Sequence, residues 1–461
     1  MKRNVKSLLL LFSMLIVLLP FATSASAEPL DEIRQLVDEY YVDDVPDSVL
    51  SKGSIKEITK HLDPHSVYMS AKEYEGFING IEQRIVGIGV VLEEDLKGIK
   101  IISVIPGGPA ARAGMEAGDV ITHVNGSSLV GKSIQVAISL ISGKEKTAVT
   151  LTIVRMGQKD PLTKKLIREE ITLPNVESEM LGGNIAYIRL NSFATESSKE
   201  MNKAIQSLNG ADGWIVDLRN NGGGYITAAQ DIAGFFPTTV NAFQLREKNT
   251  KPMIYPSTVQ PRKFTGATHV LINEYSASAS EMVSAAVKEQ KAATLYGQTS
   301  YGKGTMQSMY GFDDGSVLKM TTARFYSPKG QAVDKVGVKP DIVTKIGTEL
   351  EISHRDQLIA KVPGYKQLPG LVNVPVTKKF TVEMNTKMNW KHTDKKAIQL
   401  IQLGGKEIEA AVEVLNDKTI SVVPKKQLSA GANYVLVIHP LYKDAQNKLM
   451  KQGVYLEITV K

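Results

Sequence analysis

The sequence predicts a multidomain α+β protein with a helical N-terminal segment, a small strand-rich domain, an α/β core and a C-terminal β-sandwich. Three observations predict this organisation. The chain of 461 residues is too long for a single hydrophobic core. Its apolar pattern changes several times between helical spacing and short alternating runs. Its composition, with 43% hydrophobic and 22% charged residues, is that of an ordinary globular protein.

Residues 1–27 are typical of an export signal. Lys2, Arg3 and Lys6 give a basic start, which is followed by an almost wholly apolar stretch at 8–20. Ala-Ser-Ala at 25–27 supplies the small residues after which a signal peptidase cuts. The alternative is a membrane anchor, but a helix over the apolar stretch would reach about 20 Å, short of the ~30 Å hydrocarbon core. We therefore expect a secreted or extracytoplasmic protein of the cell envelope.

Charge and cysteine content exclude several functions. The net charge of +7 is small, and Lys and Arg are spread along the chain, so we expect no nucleic acid partner. Peripheral association with an anionic envelope is the most that this charge supports. The absence of cysteine excludes disulfides, a thiol nucleophile and thiolate metal sites. His61 and His65 have the spacing of a metal pair, but Pro64 opposes a shared helix, and we expect no metal and no cofactor.

Residues 28–82 predict short helices. Apolar side chains recur there at helical spacing, namely Leu30, Ile33, Leu36, Val37, Tyr40 and Tyr41. Such a stripe has to pack against another apolar surface.

Residues 83–160 change to strands separated by glycine turns. The unit has, in order, a glycine loop, three strands, a helix and a last strand, at 87–90, 90 onward, 101–105, 120–124, 133–141 and 148–154. This ordered set resembles a bacterial PDZ domain. In the loop, the amides of Ile88, Gly89 and Val90 can converge on one carboxylate, and the strand edge behind them accepts a peptide. We therefore expect partners with free C-termini, either proteins or peptides.

Residues 161–348 alternate strands and helices, which predicts an α/β layer architecture. The predicted strands and helices lie at 185–190, 197–208, 214–218, 226–235, 269–272, 281–291, 293–296 and 318–323. The prolines around residues 252–261 indicate an insertion that caps the core. Residues 164–170 are expected to link the PDZ unit to the core, with Arg168 either carrying a signal between them or standing as a solvated charge.

Two segments of this core have the residue types of a catalytic site. Ser276-Ala277-Ser278-Ala279-Ser280-Glu281 follows a predicted strand and begins a predicted helix, whose N-terminus favours a developing oxyanion. Gly302-Lys303-Gly304-Thr305 follows, and a lysine amine acts as a base only when burial keeps it neutral. Taken singly, the two segments equally fit a small-residue helix start and a solvated loop.

Together the segments resemble the active-site pair of the carboxy-terminal processing (tail-specific) serine proteases. The resemblance implies that Ser278 is the nucleophile, Lys303 its base and Gln307 the residue that orients the lysine. Some members of this family carry acidic residues at the positions that correspond to Glu281 and Glu289. Exposed positions on a helix explain both residues equally well.

The resemblance also implies two oxyanion donors. One is the amide of Ala279, and the other is a glycine amide within residues 217–224, with Gly223 as first choice and Gly222 as second.

The resemblance covers roughly residues 30–348. It implies a secreted serine endopeptidase that uses a Ser-Lys dyad to cleave protein substrates near their C-terminus, with tails recognised by the PDZ domain. It also implies a homodimer through the N-terminal helices, although their apolar stripe fits packing inside one chain equally well. The alternative is a secreted PDZ scaffold with a degenerate protease core, which would not need Ser278, Lys303 and Gln307 all intact.

Residues 370–461 return to short alternating runs with turns between them. They resemble a bacterial immunoglobulin-like domain, and we expect a β-sandwich without a catalytic role.

Overall fold

A computed structural model describes residues 29–390 and 397–461. The predicted export signal at 1–27 lies outside these residues. Within the described ranges, no helix is both long enough and apolar enough to cross a membrane.

The N-terminal segment packs onto the core of its own chain. It comprises α1 (Leu30–Tyr40), α2 (Asp47–Leu50), α3 (Ile55–Thr59), β1 (Val67–Met69) and α4 (Ala71–Ile81). Ile33 and Val37 of α1 are fully buried, and they belong to one cluster with Ile58, Leu318 and Met320. The apolar stripe of α1 is therefore covered within the chain.

The strand-rich domain follows α4 as one antiparallel sheet with two short helices. Its elements are β2 (Arg84–Gly87), β3 (Val90–Asp95), β4 (Gly98–Val104), α5 (Pro109–Arg112), β5 (Val120–Val124), β6 (Ser127–Ser128), α6 (Ile134–Ile141), β7 (Ala148–Val154), β8 (Leu162–Ile167) and β9 (Glu169–Thr172). The sheet order is β3-β4-β5-β7-β8, with β6 on β5, so β3 is an edge strand. The pair β2–β9 forms the connection to the rest of the chain.

The predicted end of this domain at residue 160 is too early. Strand β8 pairs with β7 from Ala148↔Ile167 onward and is part of the domain sheet. Arg168 is only 7% exposed, and its guanidinium donates to carbonyl oxygens of Leu140, Ile141 and Ala148. The linker at 164–170 and the solvated Arg168 are therefore wrong, because this arginine satisfies carbonyls that the end of α6 leaves free.

The central core contains two sheets. Its elements are β10 (Val176–Leu181), β11 (Ile185–Leu190), α7 (Ser197–Ser207), β12 (Gly213–Asp217), α8 (Ile226–Ala233), β13 (Asn241–Glu247), β14 (Met253–Pro256), β15 (Ala267–Ile272), α9 (Ala279–Glu289), β16 (Thr294–Gly297), β17 (Thr305–Gly311), β18 (Val317–Tyr326), β19 (Ile342–Val343) and α10 (Glu349–Ala360). The first sheet runs β10-β11-β12-β15-β16-β19 and is parallel from β11 onward. The second runs β1-β18-β13-β14, with β17 on β18.

Alternate residues of the parallel strands enter different apolar clusters. Ile188, Val216 and Ile272 face α7, α8 and α9. Their neighbours Ile215 and Leu271 face α10 and the C-terminal domain. This is the pattern of a parallel sheet that is covered on both faces. The predicted cap around residues 252–261 contributes β14, which extends the second sheet as a hairpin with β13.

The C-terminal domain has two sheets that share one apolar cluster. Its strands are β20 (Lys366–Gln367), β21 (Leu371–Val374), β22 (Phe380–Glu383), β23 (Ile398–Gln402), β24 (Glu407–Ile408), β25 (Ala410–Val414), β26 (Thr419–Pro424), β27 (Asn433–Ile438) and β28 (Val454–Val460). One sheet is β20-β28-β27-β23-β24 with β21 on β28, and the other is β22-β26-β25. Phe380, Val422 and Leu436 lie in the shared cluster. The immunoglobulin-like assignment stays a prediction.

This domain docks on the parallel sheet of the core. Ile401 and Val435 from the C-terminal sheet share a cluster with Ile215 and Leu271. His354 of α10 is fully buried between them; its Nε2 lies 2.9 Å from the Gly182 oxygen and its Nδ1 3.0 Å from the Gly404 nitrogen. The C-terminal domain thus covers a face that a parallel sheet cannot leave in water.

We expect Ile401→Ala to lower the free energy of unfolding of the full chain by about 2–4 kcal/mol, because it opens a cavity in this interface. Ile401 is 1% exposed. Urea titration followed by circular dichroism measures the change. The matched control is Leu415→Ala in the same domain, where the side chain is 55% exposed. A loss no larger than that of the control would contradict the docking.

Candidate active site

Ser278 lies in the turn between β15 and α9. Its backbone has φ +57° and ψ −114°, a conformation that is strained for any residue with a side chain. The flanking serines hold this turn in place: Ser276 Oγ donates to the Leu218 oxygen and Ser280 Oγ to the Asn221 oxygen, both at 2.8 Å. Both flanking serines are fully buried, whereas Ser278 lines a cavity.

The cavity has a volume of about 690 Å³ and brings most of the predicted residues together. Ser278, Lys303 and Gln307 line it, as do Gly222 and Gly223. The opposite wall comes from α4, which contributes Tyr74, Phe77, Ile78 and Ile81. Sequence reasoning missed this wall, since α4 carries only an ordinary helical pattern and no chemical motif.

Lys303 reaches the cavity from the loop between β16 and β17. The pKa of its amine is lowered to about 8, mainly by burial and then by the positive charge of Lys319, while Asp63 and Glu281 act in the opposite direction. A substantial fraction of the amine is therefore neutral in mildly alkaline solution, as a general base requires.

Glu281 connects the turn of Ser278 to the loop of Lys303. Its Oε2 accepts from the amides of Ser278 (2.8 Å) and Lys303 (2.9 Å), and its Oε1 from Ser300 Oγ (2.6 Å) and the Gly302 amide (2.6 Å). The residue is fully buried, so the exposed helix position considered for it is wrong. Burial raises the pKa of its carboxyl group, although the four donors oppose this shift.

Two contacts that the predicted catalytic roles require are not formed in this arrangement. Among the described residues, Ser278 Oγ and Lys303 Nζ share no hydrogen bond. Gln307 Nε2 donates to Thr305 Oγ1 (3.0 Å) and Thr321 Oγ1 (3.1 Å) and not to Lys303. Catalytic hydrogen bonds are often loose before substrate binds.

The glycine loop approaches Ser278 closely. Gly223 has φ +107°, and a Cβ on it would lie 2.9 Å from Ser278 Cβ, so only glycine fits there. Its amide donates to Asn221 Oδ1 at 2.9 Å and is therefore occupied. In the part of the chain that the structure describes, the amides of Gly222 and Ala279 have no protein acceptor.

The PDZ loop lies apart from this cavity. Ile88 is 1% exposed and packs in the domain core, and Gly89 turns the chain with φ +79°. Over the described residues, the amides of Ile88 and Gly89 donate to no protein acceptor. Val90 begins the edge strand β3, beside which α6 presents Ile138, 49% exposed.

The described residues were compared with the ligand sets that hold metal ions. They contain no group of three or more His, Asp or Glu side chains that could hold a metal ion. The helix that would have paired His61 with His65 ends at Thr59.

Comparison with known proteins identifies the class. Residues 184–344 match Peptidase family S41, and residues 100–155 match the PDZ domain. The chain is 36% identical over 342 residues to the carboxy-terminal processing protease CtpA of Bacillus subtilis, covering 73% of this chain and 69% of that protein. It is 31% identical over 325 residues to CtpB of the same organism, covering 69% and 68%.

A solved photosystem II D1 C-terminal processing protease aligns with a TM-score of 0.46 at 25% identity, over 72% of this chain and 96% of that one. The relatives from Bacillus subtilis, together with the two family matches, show that the chain is a serine-type peptidase. It belongs to peptidase family S41 and carries a PDZ domain, which confirms the family predicted from the sequence.

We expect Glu281→Gln to lower the cleavage rate about 100-fold, because the NH2 group that replaces one carboxylate oxygen cannot accept the two hydrogen bonds made to that oxygen. The initial rate of casein cleavage measures this loss. Glu289→Gln in the last turn of the same helix is the control, since Glu289 binds Ser327 and Lys329 outside the cavity. A rate for Glu281→Gln equal to that of the control, with the same thermal stability, would refute the role.

Proposed function

We propose that the protein is a secreted serine endopeptidase that cleaves protein substrates near their C-terminus through a Ser278–Lys303 dyad. The observation that carries the proposal is the shared cavity, which holds a serine on a strained turn and a partly buried lysine with a pKa of about 8. A neutral amine beside a serine hydroxyl is the arrangement that activates such a nucleophile.

In the proposed mechanism, neutral Lys303 Nζ removes the proton from Ser278 Oγ as this oxygen attacks the substrate carbonyl carbon. The tetrahedral oxyanion is held by the Ala279 amide at the N-terminus of α9 and by a glycine amide of the loop. Protonated Lys303 then gives its proton to the leaving amine, and an acyl-enzyme remains on Ser278. Water, activated by the same lysine, hydrolyses this ester and restores the serine.

Two exchanges of hydrogen bonds would complete this machinery. Gln307 would leave Thr305 and Thr321 to orient Lys303. Gly223 would exchange Asn221 Oδ1 for the oxyanion, or Gly222 would supply the amide instead. The exchange at Gly223 replaces one hydrogen bond by another, so its net free energy is small, whereas Gln307 would give up two hydrogen bonds to threonine hydroxyls.

The proposed setting is extracytoplasmic, after cleavage of residues 1–27. The substrates would be proteins with free C-termini, and the protein would need no cofactor. A dimer through α1 is not part of the proposal, because Ile33 and Val37 already pack inside the chain. Peripheral attachment to an anionic envelope would rest on the net charge of the cleaved chain, which is +4 because residues 1–27 contain Lys2, Arg3 and Lys6 and no acidic residue.

We expect Ser278→Ala to abolish casein cleavage without changing stability, and Lys303→Arg to be as inactive as Lys303→Ala, because a guanidinium stays charged. Cleavage by the unaltered chain should fall as pH drops below about 8, the pKa of Lys303, since only the neutral amine accepts a proton.

Ser276→Ala is the control for the register of the nucleophile. It removes a buried hydrogen bond and should lower stability while leaving measurable cleavage. Full activity of Ser278→Ala or of Lys303→Arg would overturn the dyad. A chain that binds C-terminal tails but cleaves nothing would instead be the PDZ scaffold.

We further propose that the PDZ domain binds the free C-terminal carboxylate of the substrate at the amides of Ile88, Gly89 and Val90, with the tail added to β3. A peptide that ends in a free apolar residue should bind at least 10-fold more tightly than its C-terminal amide, because the amide lacks the anion. Fluorescence anisotropy with the Ser278→Ala chain measures both. Equal affinities would mean that the loop is only a turn.

A further inference from the structure

We propose that Lys319 forms a carboxylate-binding subsite in the active-site cavity, which favours substrates with an acidic group close to the scissile bond. The inference rests on the proposed peptidase function and names a class of substrate for it.

Lys319 is placed to meet a bound substrate. It lies in β18, between Val67 of β1 and Met309 of β17, and it lines the same cavity as Ser278 and Lys303. Its Nζ lies 4.6 Å from the centre of the Phe77 ring on the α4 wall. This cation–π contact holds the ammonium group on the cavity side of the strand.

The ammonium group has no anionic partner of its own. Among the described residues, no carboxylate lies within 4.0 Å of Lys319 Nζ, and the amine donates no hydrogen bond to protein. Asp63, whose charge acts on Lys319, already accepts from the His65 amide (2.8 Å) and Ser66 Oγ (2.6 Å).

Burial lowers the pKa of Lys319, which shows that its surroundings disfavour the unpaired charge. An ammonium group carries three donors, and a ring face satisfies none of them as a hydrogen bond. A substrate carboxylate would supply both the missing charge and the missing acceptors.

The subsite would act on catalysis as well as on binding. The charge of Lys319 helps to lower the pKa of Lys303, after the larger effect of burial. A carboxylate bound to Lys319 would cancel that charge, so the pKa of Lys303 would rise for acidic substrates. Asp63 acts on both lysines and Glu281 acts on Lys303, in each case raising the pKa. His65 is the other titratable group near the pair, since the charges of Lys303 and Lys319 both lower its pKa. Acidic substrates should therefore require a slightly higher pH for the same fraction of neutral Lys303.

The test uses peptides that differ only in Glu or Gln next to the cleaved bond, each made with a free or an amidated C-terminus. For the unaltered chain we expect kcat/KM to be about 10-fold higher for Glu than for Gln, the change that one well-placed charge pair supplies. Lys319→Met should remove this preference, Lys319→Arg should keep it and Lys319→Glu should reverse it. Lys72→Met is the matched control, because Lys72 is an exposed lysine on α4 outside the cavity.

A second readout separates a subsite from a structural role. With the Gln peptide, Lys319→Met should move the acid limb of the pH–rate profile to higher pH, because the charge that lowers the pKa of Lys303 is gone. Lys319→Met could instead remove a preference for the peptide with a free C-terminus over the amidated one. In that case the carboxylate that Lys319 binds is the C-terminal one of the substrate, and the subsite is supported. If Lys319→Met keeps every preference and the same profile, the subsite is refuted. Peptide cleavage that persists in Ser278→Ala would refute the peptidase mechanism separately.

Discussion

The carboxylate of Glu281 receives hydrogen bonds from both segments that carry the proposed dyad. Its two oxygens bind the amide of Ser278 on one side and the amides of Gly302 and Lys303 on the other. A buried carboxylate that loses its donors costs several kcal/mol, so the turn and the loop cannot separate without a large penalty. The strained backbone of Ser278 is stabilised by the same contact, because Glu281 lies on the first turn of the helix that the serine begins.

A second buried network, made of ion pairs, fixes the start of the glycine loop to helix α10. Asp217 is fully buried and binds Arg219, whose Nη1 reaches Glu349 of α10 at 2.8 Å. Helix α10 also carries His354, which contacts both the core and the C-terminal domain. The C-terminal domain therefore supports the site indirectly: it covers the parallel sheet and fixes the helix to which the base of the glycine loop is bound.

Local sequence patterns predicted some elements residue for residue. Strands β5, β7 and β11 have the predicted bounds, because each is a compact run of mostly apolar residues that belongs to a sheet. The exposed positions considered for the two charged residues Glu281 and Arg168 are wrong for a common reason. A charge is buried only where enough partners converge on it. Except for the Ser278 amide, which lies three residues before Glu281, those partners lie 19–28 residues away in the chain. Spacing along a helix or strand contains no information about them.

The residues of the site also divide into those that the sequence could indicate and those that only the fold brings together. Ser278 and Lys303 could be chosen only through family resemblance, since each segment alone fitted an ordinary turn or loop. The α4 wall and Lys319 had no motif at all and became visible only when the fold placed six separate segments around one cavity.

The hydrogen bonds of this cavity also explain how the proposed catalytic groups can share one cavity while some of them are bound to other partners. The amide of Gly223 is held by Asn221, and Gln307 is held by two threonines. Both groups therefore have a partner before substrate arrives, so neither pays the cost of a buried unsatisfied donor. When a substrate carbonyl oxygen binds the amide of Gly223, it replaces Asn221 Oδ1 as the acceptor, so the amide is hydrogen-bonded both before and after binding. Contact within the proposed dyad then depends mainly on the side chain of Lys303, whose backbone amide is already fixed by Glu281.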